Sequence, residues 1–297
     1  MSFQGKLRQY LLITEMLQHQ PNQTLKDIQN MLYDKGFNLS ERTLQRNIES
    51  LRDEFGIEIV CNRSFNTYYI DDKEKTFNID VFIKFLHSAL KAQFVSENIK
   101  DFKNISEFIH LSEVTNTEGL EYLEPLLNAI KKSKVISFTH ENYTTFQHKE
   151  YIIEPYLLKE YLNRWYIVGF VKNIKEFRTF GIDRMSDLKI TNIKFKRNQN
   201  NNPRNFFDNT IGLVYSTHKL QNVKIKTTEI QAKYMRSQPL HSSQIEIENC
   251  LFQLTLTPNY ELIQRVLMMG TEVMVVEPQW LKDEIKELLE EALKMYK

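Results

Sequence analysis

Residues 160–190, EYLNRWYIVGFVKNIKEFRTFGIDRMSDLKI, carry a dense run of aromatic side chains with Arg164, Arg178 and Arg184 threaded through it. The period is two. Trp165, Ile167 and Gly169 fall on one face of a strand, and Tyr166, Val168 and Phe170 on the other. The following FRTFGIDRM places Arg178, Phe180, Ile182 and Arg184 on a shared face, provided no bulge intervenes. Guanidinium groups at both ends of one face can grip successive phosphates or a carboxylate by paired hydrogen bonds. Aromatic faces between arginines suit bases, but the same pattern also describes an ordinary half-buried sheet.

Around this stretch the period stays that of strands: KVISFTH from Lys134, KEYIIEPYLLKEY, RWYIVGFV, EFRTFGIDRM and DLKIT, separated by short polar turns. Five short strands so close together predict a small barrel or a strongly bent sheet. His140 and His148 bracket ENYTTFQ, without the third ligand a metal site needs. For the binding face the candidates are Arg178 and Arg184 as anion contacts, with Tyr143, His140 and Tyr166 for stacking or hydrogen bonding. Arg184 has a plainer alternative, a salt bridge to Asp183 or Asp187. A tryptophan at mid-strand is more often core than platform, and both readings of Trp165 stay open.

Toward the N-terminus the period becomes helical. Leu7, Tyr10, Leu11 and Leu17 share a face, and Pro21 stops that helix. Thr24 and Asp27 stand in a capping-box arrangement ahead of Leu25, Ile28, Met31 and Leu32, and Gly36 closes the second helix. SERTLQRNIESLRDEFG reads as a third helix from Ser40, with Leu44, Ile48, Leu51 and Phe55 inward. This is a helix-turn-helix pattern. Its outward residues, Arg42, Thr43, Gln45, Arg46 and Asn47, with Ser40 at the start, are types that bond base edges or phosphates in a major groove. GIEIVCNRSFNTYYI then turns around Asn62–Asn66 as a hairpin would, in the position of a wing with Arg63 at its tip.

Residues 79–130 read as helices, including DFKNISEFIHLS, and form a connector with a candidate dimer surface; His87 and His110 lie among its apolar residues and read as packed or surface histidines rather than ligands. Beyond the strands, KRNQNNNPRNFFDN reads as a polar linker. The order strand VKIKTT, helix EIQAKYMRS, strands SQIEIEN and CLFQLTLT, helix PNYELIQRVLMMG, strand EVMVVEP and a last helix is βαββαβ, that of a ferredoxin-like fold. Arg236, His241 and Arg265 are its candidate polar contacts.

With 297 residues and 41% hydrophobic content the chain can form several domains, each with a core. Lys and Arg (39) balance Asp and Glu (38), so a nucleic-acid partner must be recognised by local patches. Two distant cysteines exclude a disulfide framework and suit a reducing cytoplasm. Neither a signal peptide nor a long apolar span is visible, so a soluble cytoplasmic protein is expected.

The run from Lys134 to Thr191, with EPYLLKEYLNRWYIVGF and FRTFGIDRM, resembles the WYL domain, whose Trp-Tyr-Leu triplet stands here as Trp165, Tyr166, Ile167. With TLQRNIESLRDEFGIEI and YYI ahead of it, the chain resembles the bacterial WYL-domain transcriptional regulators, and the end of the chain, with PLHSSQ and the Gly270–Pro278 segment, resembles their WCX extension. The resemblance implies a multidomain α+β protein: a winged helix-turn-helix (1–72), a helical connector (73–132), an Sm-like or SH3-like five-stranded β-barrel that senses a ligand (133–200), and a ferredoxin-like domain that helps dimerise and complete the ligand site (201–297). It implies a nucleic-acid-derived ligand, short single-stranded DNA or a nucleotide messenger, with Arg236 and Arg265 joining His140, Tyr143, Tyr166, Arg178 and Arg184 as ligand candidates. Gly181 departs from the family, which commonly has arginine there, and Asn47 stands where Asp is frequent.

The function expected is a homodimeric regulator, a repressor in preference, that binds an inverted repeat of operator DNA and needs no cofactor; the resemblance adds a link to phage defence or DNA damage. The alternatives are a nucleotide-acting enzyme or a protein-interaction adaptor with a DNA-targeting head. Against the enzyme stand the lack of a G-x-x-x-x-G-K loop, of an H-E-x-x-H pair and of a nucleophile elbow.

Overall fold

The computed structural model describes residues 3–71, 79–98, 118–143, 145–198, 203–214 and 218–296. The chain divides into two units, Met1–Ser112 and Glu113–Lys297. The helix expected over 101–112 and His110 lie outside the described residues.

In the first unit, helices α1 (Phe3–His19), α2 (Leu25–Asp34) and α3 (Glu41–Asp53) pack with a sheet of β1 (Gln23–Thr24), β2 (Ile59–Asn62) and β3 (Thr67–Ile70), in the order β1-β3-β2. The capping box at Thr24 is complete, with Thr24 Oγ1 accepting from the Asp27 backbone and Asp27 accepting from the Thr24 backbone. Gly36 follows with φ +87°, the left-handed conformation that ends a helix without strain only for glycine. Ser40 caps α3 by accepting from the Thr43 N–H. Leu44, Ile48 and Leu51 meet Leu7, Ile13, Leu17, Ile28 and Leu32 in one core. Both Nε and Nη2 of Arg52 on α3 donate to the Ile59 carbonyl, at 3.2 and 2.7 Å, and fasten the β2–β3 hairpin to the helix.

The expected connector is divided. Helix α4 (Ile79–Asn98) buries Phe82 and Leu86 in the core of the first unit. Helix α5 (Leu123–Lys131) instead buries Leu126, Ala129 and Ile130 against the strands of the second unit. Apolar spacing predicts a helix but not which core receives it.

The second unit begins with five antiparallel strands: β4 (Lys134–Asn142), β5 (Gln147–Tyr161), β6 (Arg164–Val171), β7 (Glu176–Gly181) and β8 (Met185–Lys194), ordered β7-β6-β5-β4-β8. The first half of β5 pairs with β4 and the second half with β6, and its register shifts between Pro155 and Leu157 where the strand bends. The two outermost strands, β7 and β8, are joined by three residues, the 3-10 turn Ile182–Arg184. In a flat sheet those strands would lie about 19 Å apart, whereas the link reaches about 14 Å at full stretch. The sheet is therefore rolled, with Ile136, Phe138, Ile153, Ile167, Phe180, Ile182 and Met185 inside and α5 packed on that core. Trp165 packs, half-buried, at the edge of the same core, in line with its core reading.

The 3-10 turn also corrects an expectation. Arg178 and Phe180 share a strand face, but the chain leaves the strand at Gly181, so Arg184 does not continue that face. Gly119, at φ +79°, lies against the turn: a Cβ there would stand 2.4 Å from the Ile182 carbonyl oxygen.

Past the strands, the expected linker contains a short helix, α6 (Pro203–Phe207), that buries Pro203 and Phe207; its residues 199–202 lie outside the described set. Next come β9 (Gln221–Thr227), α7 (Glu229–Ser237), β10 (Ile245–Glu248), β11 (Leu251–Leu256), α8 (Tyr260–Met268), β12 (Val273–Glu277) and α9 (Gln279–Lys294). Their sheet has the order β10-β11-β9-β12, antiparallel throughout. Among the described residues no helix is long and apolar enough to cross a membrane.

Replacing Gly119 by alanine adds a Cβ where both the backbone conformation and the Ile182 carbonyl oppose it. Thermal denaturation is expected to show a loss of about 1–3 kcal/mol.

Candidate functional site

Two surfaces gather the polar residues singled out from the sequence. On the first unit, Arg42, Gln45 and Arg46 are exposed along α3, Thr43 is half-buried, and Arg63 is exposed at the hairpin tip. The tip is shaped by Asn62, whose Oδ1 accepts from the Ser64 N–H, and by Asn66 at φ +53°. Ser40 is exposed, with its hydroxyl engaged as the cap of α3.

Asn47 does not belong with them. It is 2% exposed and its Nδ2 donates to Oε1 of Gln9, itself fully buried, at 2.8 Å. Position 47 lies three residues after Leu44 and four before Leu51, on the inward stripe, and its polarity disguised this. Phe65 was missed. It is 75% exposed beside Arg63 at the hairpin tip, and an apolar ring in a polar loop was the available signal.

The second surface is built around the 3-10 turn. His140, near the end of β4, is 9% exposed and meets Phe138, Tyr151 and Phe180 at ring-centroid distances of 6.3, 6.3 and 5.3 Å. Tyr166 on β6 lies opposite Gly181 in the β6–β7 register. Arg184 turns back over this end of the sheet, with its guanidinium 4.6 Å from the Tyr143 ring centroid, a cation–π geometry. Asp183, its side chain 5% exposed, lies between two arginines: Arg164 Nη1 is 3.6 Å from Oδ2, and Arg184 Nε is 3.8 Å from Oδ1. Of the two carboxylates weighed for Arg184, it is Asp183 that pairs with it.

Gly181 makes room for this. A Cβ at that position would stand 2.6 Å from Asp183 Oδ1 and 2.9 Å from Arg184 Nη2. The space that a side chain at 181 would use is filled by the Arg184 guanidinium.

Burial, and then the positive charge of Arg184, push the His140 imidazole down to about 4; a hydrogen bond to the Gly181 backbone and the Asp183 carboxylate act the other way. His140 is thus neutral near pH 7. Burial also raises the Tyr166 phenol above its ordinary value, with Arg164 and Arg184 opposing the rise. Among the described residues, His140 Nε2, Arg184 Nε and Thr179 Oγ1 are buried and have no hydrogen-bond partner. Buried polar atoms are rarely left so, and those that are mark places where a ligand can supply the bond. An arginine donor, a neutral imidazole and an exposed tyrosine ring suit an anion that carries a hydroxyl group or a base.

Four of the seven ligand candidates, His140, Tyr143, Tyr166 and Arg184, thus come together, and Arg164 and Asp183 join them. Arg178 stands apart, exposed opposite Gly169 and three residues before Gly181, about 10 Å along the strand. Arg236 is held by Glu246, its Nε and Nη2 donating to the two carboxylate oxygens at 2.7 and 2.6 Å. His241 contacts Ser243 Oγ and the Asp208 carbonyl, and Arg265 is half-buried in the last turn of α8. Among the described residues no group of three His, Cys, Asp or Glu could hold a metal ion.

Comparison with known proteins identifies both parts of the second unit. Residues 121–190 match the WYL domain and residues 219–293 match the WCX domain. Over 292 residues the chain is 25% identical to the uncharacterized HTH-type transcriptional regulator YobV of Bacillus subtilis (strain 168), covering 88% of this chain and 91% of that protein. Among solved structures, the proteasome accessory factor B/C (PafBC) of Arthrobacter aurescens is 16% identical with a TM-score of 0.32, covering 95% of this chain and 46% of that one. A CRISPR Cas-related protein is 13% identical with a TM-score of 0.40, covering 99% and 85%. The rolled sheet and the C-terminal sheet are accordingly a WYL domain and a WCX domain, in a chain similar to an HTH-type transcriptional regulator.

Proposed function

We propose that the chain is a DNA-binding transcriptional regulator whose WYL domain senses a nucleic-acid-derived anion. The relative and the two domains point to a regulatory protein rather than an enzyme. In this reading the first unit is a winged helix-turn-helix: α3 enters a major groove with Arg42, Gln45 and Arg46, and Arg63 on the wing contacts the adjoining backbone. Ser40 and Thr43 lie at the end of α3 that faces the phosphates. The C-terminal sheet is ferredoxin-like and joins two chains into a homodimer that reads an inverted repeat. Two recognition helices must then meet grooves about 34 Å apart, and a ligand acts by binding one arrangement of the dimer better than another. The sign expected is repression, relieved by ligand.

The observation that carries the sensing part is the convergence of Arg164, Arg184, His140, Tyr143 and Tyr166 at one end of the rolled sheet. Arg178 and Arg265 can extend a longer ligand's contacts, whereas Arg236 serves the fold through Glu246. The adaptor reading, in which the aromatic strands bind protein, is tested by the same DNA measurement.

Fluorescence anisotropy with the DNA upstream of the chain's own gene tests the head. An Arg42→Ala, Arg46→Ala double variant is expected to lose specific binding at about 1–3 kcal/mol per base-reading contact; unchanged specific binding would remove α3 from the interface. Arg184→Ala is expected to leave operator affinity in the absence of ligand within about two-fold while abolishing its response to short single-stranded DNA. A pH titration of stability tests the buried imidazole. Below about 6.5 the unfolded chain takes up a proton at His140 that the folded chain refuses until about pH 4. Stability should therefore fall as pH drops through that window, and His140→Gln should lose this part of the slope.

A further inference from the structure

The inward-facing pairs of the β4–β5 ladder change character along its length. Directly opposite residues on antiparallel strands point to the same face. Ile136 stands opposite Ile153, Phe138 opposite Tyr151, and His140 opposite Lys149. The first two pairs pack in or against the core. Lys149 is thus the next inward position after Tyr151, level with His140, and it is exposed. Its ammonium lies 5.5 Å from the centroid of the Tyr151 ring, and among the described residues it makes no ion pair. The carboxylates of the same hairpin, Glu141 and Glu150, occupy the alternate positions opposite His148 and Thr139, and so belong to the other face. Charge is sorted across the strand pair, with the cation on the side of the buried imidazole. On the other flank of His140 stands Met185 of β8, the residue that follows Arg184. Lys149 and the end of the 3-10 turn are therefore two strand spacings apart at most, about 10 Å between backbones, with His140 between them.

We propose that Lys149 is a second anion contact of the WYL domain, and that the site takes two successive phosphates of a single nucleic-acid strand. Arg184, with Arg164, meets one phosphate and Lys149 meets the next. The inference rests on the anion-sensing reading given above and adds a minimum ligand length to it. A lone phosphate at the arginines leaves the Lys149 ammonium without an anion, so a mononucleotide fills half the site. The two phosphates of a nucleoside diphosphate share a bridging oxygen and bring both charges to one place. Phosphates one nucleotide apart are separated by a whole sugar, which suits two cations on opposite flanks of His140. The flexible four-carbon stem of lysine and the long arginine side chain close the remaining distance. The ligand class is thus an oligonucleotide of at least two nucleotides.

The test uses the full chain and three probes, thymidine 5′-monophosphate, thymidine 5′-diphosphate and 5′-phosphorylated dithymidylate, with affinities read by calorimetry. The last two each carry about three negative charges near pH 7, so charge alone does not separate them. The wild type should bind the dinucleotide roughly ten-fold tighter than either mononucleotide. Lys149→Ala should remove most of that preference while leaving the monophosphate within about two-fold, and Lys149→Arg should keep it. Arg184→Ala should weaken all three probes. Lys189→Ala removes an exposed lysine that stands opposite Ser137 on the outer face, and should change each affinity by less than about two-fold. A preference for the dinucleotide that survives Lys149→Ala, or a loss on Lys149→Ala that is equal for monophosphate and dinucleotide, would overturn the second contact and leave the anion reading intact. So would equal wild-type affinity for those two probes. Diphosphate binding as tight as that of the dinucleotide would put both charges on one pyrophosphate and overturn the two-nucleotide strand. Failure of the wild type to bind any probe would remove the anion reading and the second contact with it.

Discussion

The shortness of one connection governs the second unit. Three residues, Ile182–Arg184, carry the chain from one outer strand of a five-stranded sheet to the other, and they can do so only because the sheet is rolled. The roll supplies an interior for Phe138, Ile153, Ile167 and Phe180, and that interior makes the fold stable. It also brings the end of β4, with His140, and the start of β6, with Arg164 and Tyr166, beside the connecting turn. The candidate site is therefore made by closure of the sheet rather than by any one strand. The depressed imidazole follows from the same closure, since burial is its main cause and the nearby Arg184 charge its second, and so does the placing of two arginines around the buried Asp183 carboxylate.

Much of the fold was legible in the sequence because it is written in periodicity and punctuation. Thr24 and Asp27, Gly36 and Ser40 marked helix ends that the structure places where local chemistry demands them. The strands from Lys134 to Thr191 alternated clearly enough to be found, and Trp165, Ile167 and Gly169 do share a face. The sequence order of the C-terminal strands and helices was equally plain.

What escaped depended on contacts distant in sequence. Asn47 reads as polar and outward, and only the presence of Gln9, 38 residues earlier, makes a buried place for it. Arg178 and Arg184 look equivalent along an ideal strand, but the turn at Gly181 sends the second into a cluster with Tyr143 and leaves the first in solvent. Asp183 was visible as a salt-bridge partner, but its position between Arg164 and Arg184 depends on the rolled sheet. Arg236 could be recognised as structural only once Glu246, on a neighbouring strand, was seen to receive both of its donors. Charge and polarity mark residues that need a partner, and the fold decides which partner is within reach.

The fork that Arg52 makes with the Ile59 carbonyl has a mechanical meaning. It ties the hairpin to α3 at the hairpin's base and leaves Arg63 and Phe65 at the far end of a short, braced lever. A change in the angle between helix and hairpin would have to stretch or break both arms of that fork at once, so the brace resists bending where the two elements meet.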